Sequence, residues 1–168
     1  DEEVSSDRKV AVLYAQGTIV NGKGEIGQIG GDSFATTIGT LRQDPKVAAV
    51  VLRVNSPGGS ATASDQMQRE LKLLSQKKPL IVSMGDMAAS GGYYISANAQ
   101  RIFAQPNTIT GSIGVIGLNL NFQKLASNQG LTWDVVKTSK FADSTTVSRP
   151  KTKEELAIAQ KSVNQIYE

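Results

Sequence analysis

The 168-residue sequence contains no histidine and no cysteine. Ser-His-Asp hydrolysis, thiol nucleophiles, disulfides and metal sites built on imidazole or thiolate are therefore excluded within this polypeptide. Any catalysis falls to Ser, Thr, Lys, Tyr or carboxylates, with no metal or cofactor implied. Aromatic residues are scarce, at 5%. Long apolar runs are missing too: Ala48 to Leu52 is typical of the longest, far short of the ~20 residues that span a bilayer. The net charge is only +3, and Lys and Arg are scattered instead of forming a basic stripe interleaved with aromatics. Nucleic acid is thus not an expected partner. The start, Asp1 to Asp7, has no apolar core and reads as a polar tail (1–8), not a secretory signal. The chain reads as soluble by itself, and as a piece of something larger.

What is present is a globular composition, 39% hydrophobic and 20% charged, with sixteen glycines. The length suits one domain, residues 1–168, able to bury a core. Lys9 to Ala15 predicts a buried strand, followed by a glycine-rich loop from Gly17 to Gly31. Asp32 is the expected cap of a helix with Phe34, Ile38 and Leu41 on one face, stopped by Asp44-Pro45. Val47 to Val54 is a continuous β-branched run, the pattern of a strand covered on both faces. A helix bearing Met67, Leu71 and Leu74 follows, then a strand from Leu80 to Met84 and a helix opened at Ser90. Arg101–Ala104, Ile113–Leu118 and Thr132–Lys137 read as further strands, with a short helix closed by Gly130. Thr152 and Glu155 form a capping box before Leu156, Ala159, Val163 and Ile166. Alternating strands and helices with short connections predict an α/β fold, a parallel sheet covered by helices.

In such sheets the ligand site lies beyond the carboxyl ends of the strands. Three glycine turns are expected to converge there: Ser56-Pro57-Gly58-Gly59, Ala89-Ser90-Gly91-Gly92 and Thr110-Gly111-Ser112-Ile113-Gly114. The first lacks the Gly-Lys-Ser/Thr ending of a phosphate loop and the GxGxxG spacing of a dinucleotide site. A Gly-Gly pair there either presents two backbone N–H groups to a developing oxyanion or simply makes a tight turn. Ser90 stands among Ala88, Ala89, Gly91 and Gly92, so nothing bulky shields its hydroxyl. It is either a nucleophile at a helix start or a capping serine in a closely packed segment.

With histidine absent, the best base for a serine is a lysine whose pKa of ~10.4 has been lowered by about 3 units, roughly 4 kcal/mol of desolvation. Lys137 and Lys140 end a predicted strand, whereas Lys124, Lys151, Lys153 and Lys161 read as solvated. Lys140 is the better placed, although Asp143 nearby favours its charged form.

The segments VLRVNSPGGSATAS (Val51 to Ser64), VSMGDMAASGGYYIS (Val82 to Ser96) and ITGSIGVIG (Ile109 to Gly117) resemble the bacterial signal peptide peptidase A (protease IV) family. That family belongs to the superfamily of caseinolytic proteases and crotonases, and with KVAVLYAQGTI the likeness covers most of Lys9 to about Asp143. The resemblance implies a βαβ superhelix and a serine endopeptidase working through a Ser-Lys dyad. It puts Ser90 at the nucleophile, Gly58, Gly59 and the Gly91 N–H in the oxyanion region, and Ser112 at the hydroxyl that orients the lysine. It also implies signal peptides and other apolar peptides as substrates, a homo-oligomer, and a place on the periplasmic side of the bacterial inner membrane. The chain is most similar to the second, serine-bearing half of the long family form. VKTSKFAD (Val136 to Asp143) does not match the lysine motif, so the base is expected on a companion lysine-bearing half. The alternatives are a scaffold or interaction domain with a vestigial serine, and a crotonase-like acyl thioester enzyme.

Overall fold

A computed structural model describes residues 8–167, so all of the expected tail except Arg8 lies outside the described residues. The chain divides after Gly114 into two compact units. The first contains every strand among the described residues: β1 (Lys9–Gln16), β2 (Thr18–Val20), β3 (Gln28–Gly30), β4 (Val47–Ser56), β5 (Leu80–Ala89), β6 (Arg101–Phe103) and β7 (Ile109–Gly111). The helices α1 (Gly31–Gln43), α2 (Ala61–Ser75) and α3 (Gly91–Ser96) lie between them. The main sheet runs β1-β4-β5-β6, with β7 also on β5, and every pairing is parallel, as the alternating pattern predicts.

Fully buried Val50, Leu52 and Val54 of β4 and Leu80 and Val82 of β5 share one sheet face. They pack with Ile38 of α1 and with Met67, Leu71 and Leu74 of α2 in a single core. Each such side chain contributes about 1.5–3 kcal/mol of transfer free energy. The opposite face differs from the expectation of cover on both sides. There Val51 and Ile81 are half-buried, while Val10, Val12, Tyr14 and Phe103 are more than half exposed. β1 ends the sheet order and so is an edge strand; its alternate residues face outward, and only Ala15 of it is fully enclosed.

α1 is capped by Gly30, not by Asp32, which lies in its first turn where a negative charge suits the helix dipole. The Ser33 hydroxyl takes over the local bonding by donating to the Gly30 and Lys23 carbonyls. At the other end the Lys78 ammonium donates to the Leu41 and Asp44 carbonyls. Gly31 lets α1 close on α2, since a Cβ there would lie 2.8 Å from that of Ala63. Within the glycine-rich loop, β2 and β3 pair with each other, and Ile19 bridges Gly59.

The second unit holds α4 (Gln123–Asn128) and α5 (Lys153–Tyr167). The expected strands at Ile113–Leu118 and Thr132–Lys137 do not form, because neither run meets a ladder partner. Gly130 ends the α4 segment at φ +73°. The capping box of α5 forms as read: the Thr152 N–H donates to Glu155 Oε2 at 2.7 Å and the Glu155 N–H to Thr152 Oγ1 at 3.2 Å. The Glu155 carboxylate, nearly enclosed, also takes two bonds from Arg149 at 2.9 and 2.6 Å. Chiefly through Arg149, this holds its carboxyl at about 2, against an ordinary 4.5.

Candidate active site

β4 and β5 end side by side, and their last residues deliver two of the three glycine turns to one place. Pairing of Val54 with Met84 is followed by pairing of Ser56 with Ala88, so β5 carries two extra residues, Gly85 to Met87 forming a bulge. The Asn55 side chain fills it by accepting the Met87 N–H at 3.1 Å, and Thr108 donates to the Gly85 carbonyl at 2.8 Å. A bulge re-aims the end of a strand; here it aims Ala89 and Ser90. The third turn joins through β7, whose Gly111 pairs with Ala89 and whose carbonyl accepts the Ser90 N–H at 2.9 Å.

Ser90 occupies the cap position of α3, yet it is not a capping serine: its side chain makes no cap bond. Its backbone stands at φ 51°, ψ −118°, far from the extended geometry that a helix cap adopts. A serine at positive φ stores strain of order 1–3 kcal/mol, which the surrounding bonds must offset. Among the described residues its hydroxyl has no hydrogen-bond partner and its residue is half-buried. This is a presented hydroxyl held by the backbone alone.

The Gly58 turn abuts it. A Cβ on Gly58, at φ +91°, would stand 2.5 Å from the Gly91 nitrogen and 2.9 Å from Ser90 Cβ, so only glycine permits this approach. The Gly58 N–H is already committed to the fully buried Ser56 hydroxyl at 3.1 Å. The N–H groups of Gly59 and Gly91 have no acceptor among the described residues, and these are the donors left for a ligand. A side chain on Gly59, at φ +152°, would strike the Ile19 carbonyl, and one on Gly91 would strike the Ser64 hydroxyl. The clash at Gly59 is with backbone and restricts that position to glycine, whereas at Gly91 the neighbour is a side-chain end.

Ser112 follows Gly111 directly, is exposed and has φ 52°, close to that of Ser90. Ser90, Gly58, Gly59, Gly91 and Ser112 thus belong to three adjoining turns of the first unit. Lys140 belongs to the second unit. Its side chain is 68% exposed, paired with the Glu154 carboxylate, with its ammonium over the Phe141 ring. It lacks the burial a neutral lysine requires.

Several residues that shape the site escape a reading of the sequence. Gly85 within an apolar run signals a bulge, but nothing in the order of residues says that Asn55 and Thr108 fill it. Ser56 looks like any turn serine until its hydroxyl is found on Gly58.

A model of peptidase family S49 matches residues 72–168. Protease 4 of Salmonella typhi is 49% identical over 135 residues, taking in 80% of this chain and 22% of that protein. Protease 4 of Haemophilus influenzae is 43% identical over 88% of this chain and 24% of its own length. The chloroplastic serine protease SPPA of Arabidopsis thaliana is 37% identical over 95% of this chain and 24% of its own length. The chain spans about a quarter of each of these relatives. Among solved structures, the membrane-bound stomatin-specific protease 1510-N aligns at a TM-score of 0.44 and 24% identity, over 56% of this chain and 42% of that one. With its family model matched across more than half of its residues, the chain belongs to peptidase family S49.

Proposed function

We propose that this chain is the nucleophile-bearing peptidase domain of a serine endopeptidase, with Ser90 as the nucleophile. The observation that carries the reading is the backbone of Ser90, held at φ 51° with its hydroxyl unbonded beside two uncommitted N–H groups. In the acylation step Ser90 Oγ forms a bond to the scissile carbonyl carbon while its proton passes to a neutral lysine amine. The carbonyl electron pair moves onto oxygen, where the Gly59 and Gly91 N–H groups receive it; one such donor contributes about 2.7–4 kcal/mol in a water-excluded site. Gly58 serves by lacking a side chain. Collapse breaks the C–N bond, the lysine ammonium returns its proton to the leaving amine, and water deacylates the serine with the same base.

The base lies on a companion lysine-bearing half, with Ser112 orienting it. Lys140 has neither the burial nor the surroundings for the task. Substrates are apolar peptides, signal peptides retained in the membrane among them, and the working enzyme is a homo-oligomer at the periplasmic face of the bacterial inner membrane. No described helix is long and apolar enough to cross a membrane. Support for the peptidase activity comes from the family and the relatives' names, and for the incomplete dyad from the bare Ser90 hydroxyl.

A fluorophosphonate probe tests the assignment. Labelling of the chain together with a lysine-bearing half, lost in Ser90→Ala, is the expected result. Absence of labelling in that mixture overturns the nucleophile and leaves the scaffold reading.

A further inference from the structure

α3 has only six residues. A helix so short cannot hold its own orientation, because few internal bonds follow its costly first turn. It nevertheless carries Gly91, whose N–H must keep a fixed distance from that of Gly59 just before α2. Three side-by-side contacts tie α3 and the residues after it to α2. Gly91 packs against Ser64, the Tyr94 hydroxyl bonds to Asp65 Oδ1 at 3.1 Å, and Asn98 Nδ2 donates to the Gln68 carbonyl at 3.3 Å. Of these, Tyr94 is also bound to the nucleophile, its N–H donating to the Ser90 carbonyl at 2.9 Å.

We propose that Tyr94 is a positioning residue: its hydroxyl, held by Asp65, sets α3 against α2 and so fixes the spacing of the Gly91 and Gly59 N–H groups around the Ser90 hydroxyl. This rests on Ser90 being the nucleophile. Burial first, and then the bond and charge of Asp65, push the Tyr94 phenol above its ordinary 10.0. The donating proton is retained at neutral pH, as it is for any ordinary tyrosine. Asp65 lies in the first two turns of α2, whose own cap, Ser60, accepts the Ala63 N–H and donates to Asn21. The clamp thus couples the two elements that supply the two N–H groups.

The test uses the full chain and two readouts, amide hydrogen exchange and the rate of fluorophosphonate labelling in the presence of a lysine-bearing half. Tyr94→Phe and Asp65→Ala are expected to speed exchange of the Tyr94 amide and to slow labelling, each by about three- to tenfold, the worth of one hydrogen bond. Asp65→Asn, which keeps an acceptor, should stay within about twofold of the parent in both readouts. Exchange in β4, from Val50 to Val54, should not change. The proposal is overturned if Tyr94→Phe labels and exchanges like the parent, if Asp65→Asn is as impaired as Asp65→Ala, or if β4 loosens equally. If the parent itself is never labelled, the Ser90 assignment falls, and the exchange pattern alone then upholds or rejects the clamp.

Discussion

At Ser90 the backbone itself is strained. A residue with a Cβ at φ 51°, ψ −118° is strained, and glycine would relieve that strain while alanine would not. Ser90→Gly should therefore unfold at higher denaturant than Ser90→Ala, by about 1–3 kcal/mol, with both variants unlabelled by a fluorophosphonate. Equal stabilities would mean that the serine is unstrained. Gly58→Ala should abolish labelling, since its methyl would enter the space of the Gly91 nitrogen and the Ser90 side chain. Lys140→Ala should leave the labelling rate unchanged, because Lys140 is exposed and paired with Glu154. At this scale the sequence placed Ser90 among small residues but left nucleophile and cap equally open. The dihedral angles and the missing cap bond speak against the cap.

The β5 bulge shows how an element aims a residue. Asn55→Ala would leave the Met87 N–H without its acceptor, and a denaturant titration should show a loss of about 1–3 kcal/mol. In the second unit, α5 depends on Glu155. Its folded carboxyl, at about 2, lies below the ordinary 4.5, so the stability it lends is complete above about 4.5 and is lost as pH falls toward 2. Exchange of the first α5 amides should rise across that window, and Glu155→Gln should flatten the profile. The α5 start was legible because a capping box is a local pattern whose partners are three residues apart. The strands read at Ile113–Leu118 and Thr132–Lys137 fail for the opposite reason: a strand needs a partner from elsewhere, and β-branched residues alone do not supply one.

Across the molecule, the distinction that matters is between the two faces of one sheet. Leu52→Ala should cost about 2–5 kcal/mol in unfolding free energy, whereas Val12→Ala, on the exposed face, should cost about 0.5 kcal/mol or less. Comparable losses would mean that the second face is covered in solution. The alternation of strands and helices, the apolar spacing of α2 and the three glycine turns were readable in the sequence because each is a local periodicity or a steric demand on a single residue. The same holds for the absence of histidine, which excludes a Ser-His-Asp triad built within this polypeptide alone. Tertiary structure alone decided which face of β4 is enclosed, that β1 is an edge, that the Gly58 turn comes to lie against Ser90 and Gly91, and that α3 is tied to α2 through Tyr94. These depend on approach between distant residues, Tyr94 and Asp65 being 29 apart in the chain and Ser90 lying against the Gly58 turn from farther still, and no local pattern records which distant backbone will arrive beside a given side chain.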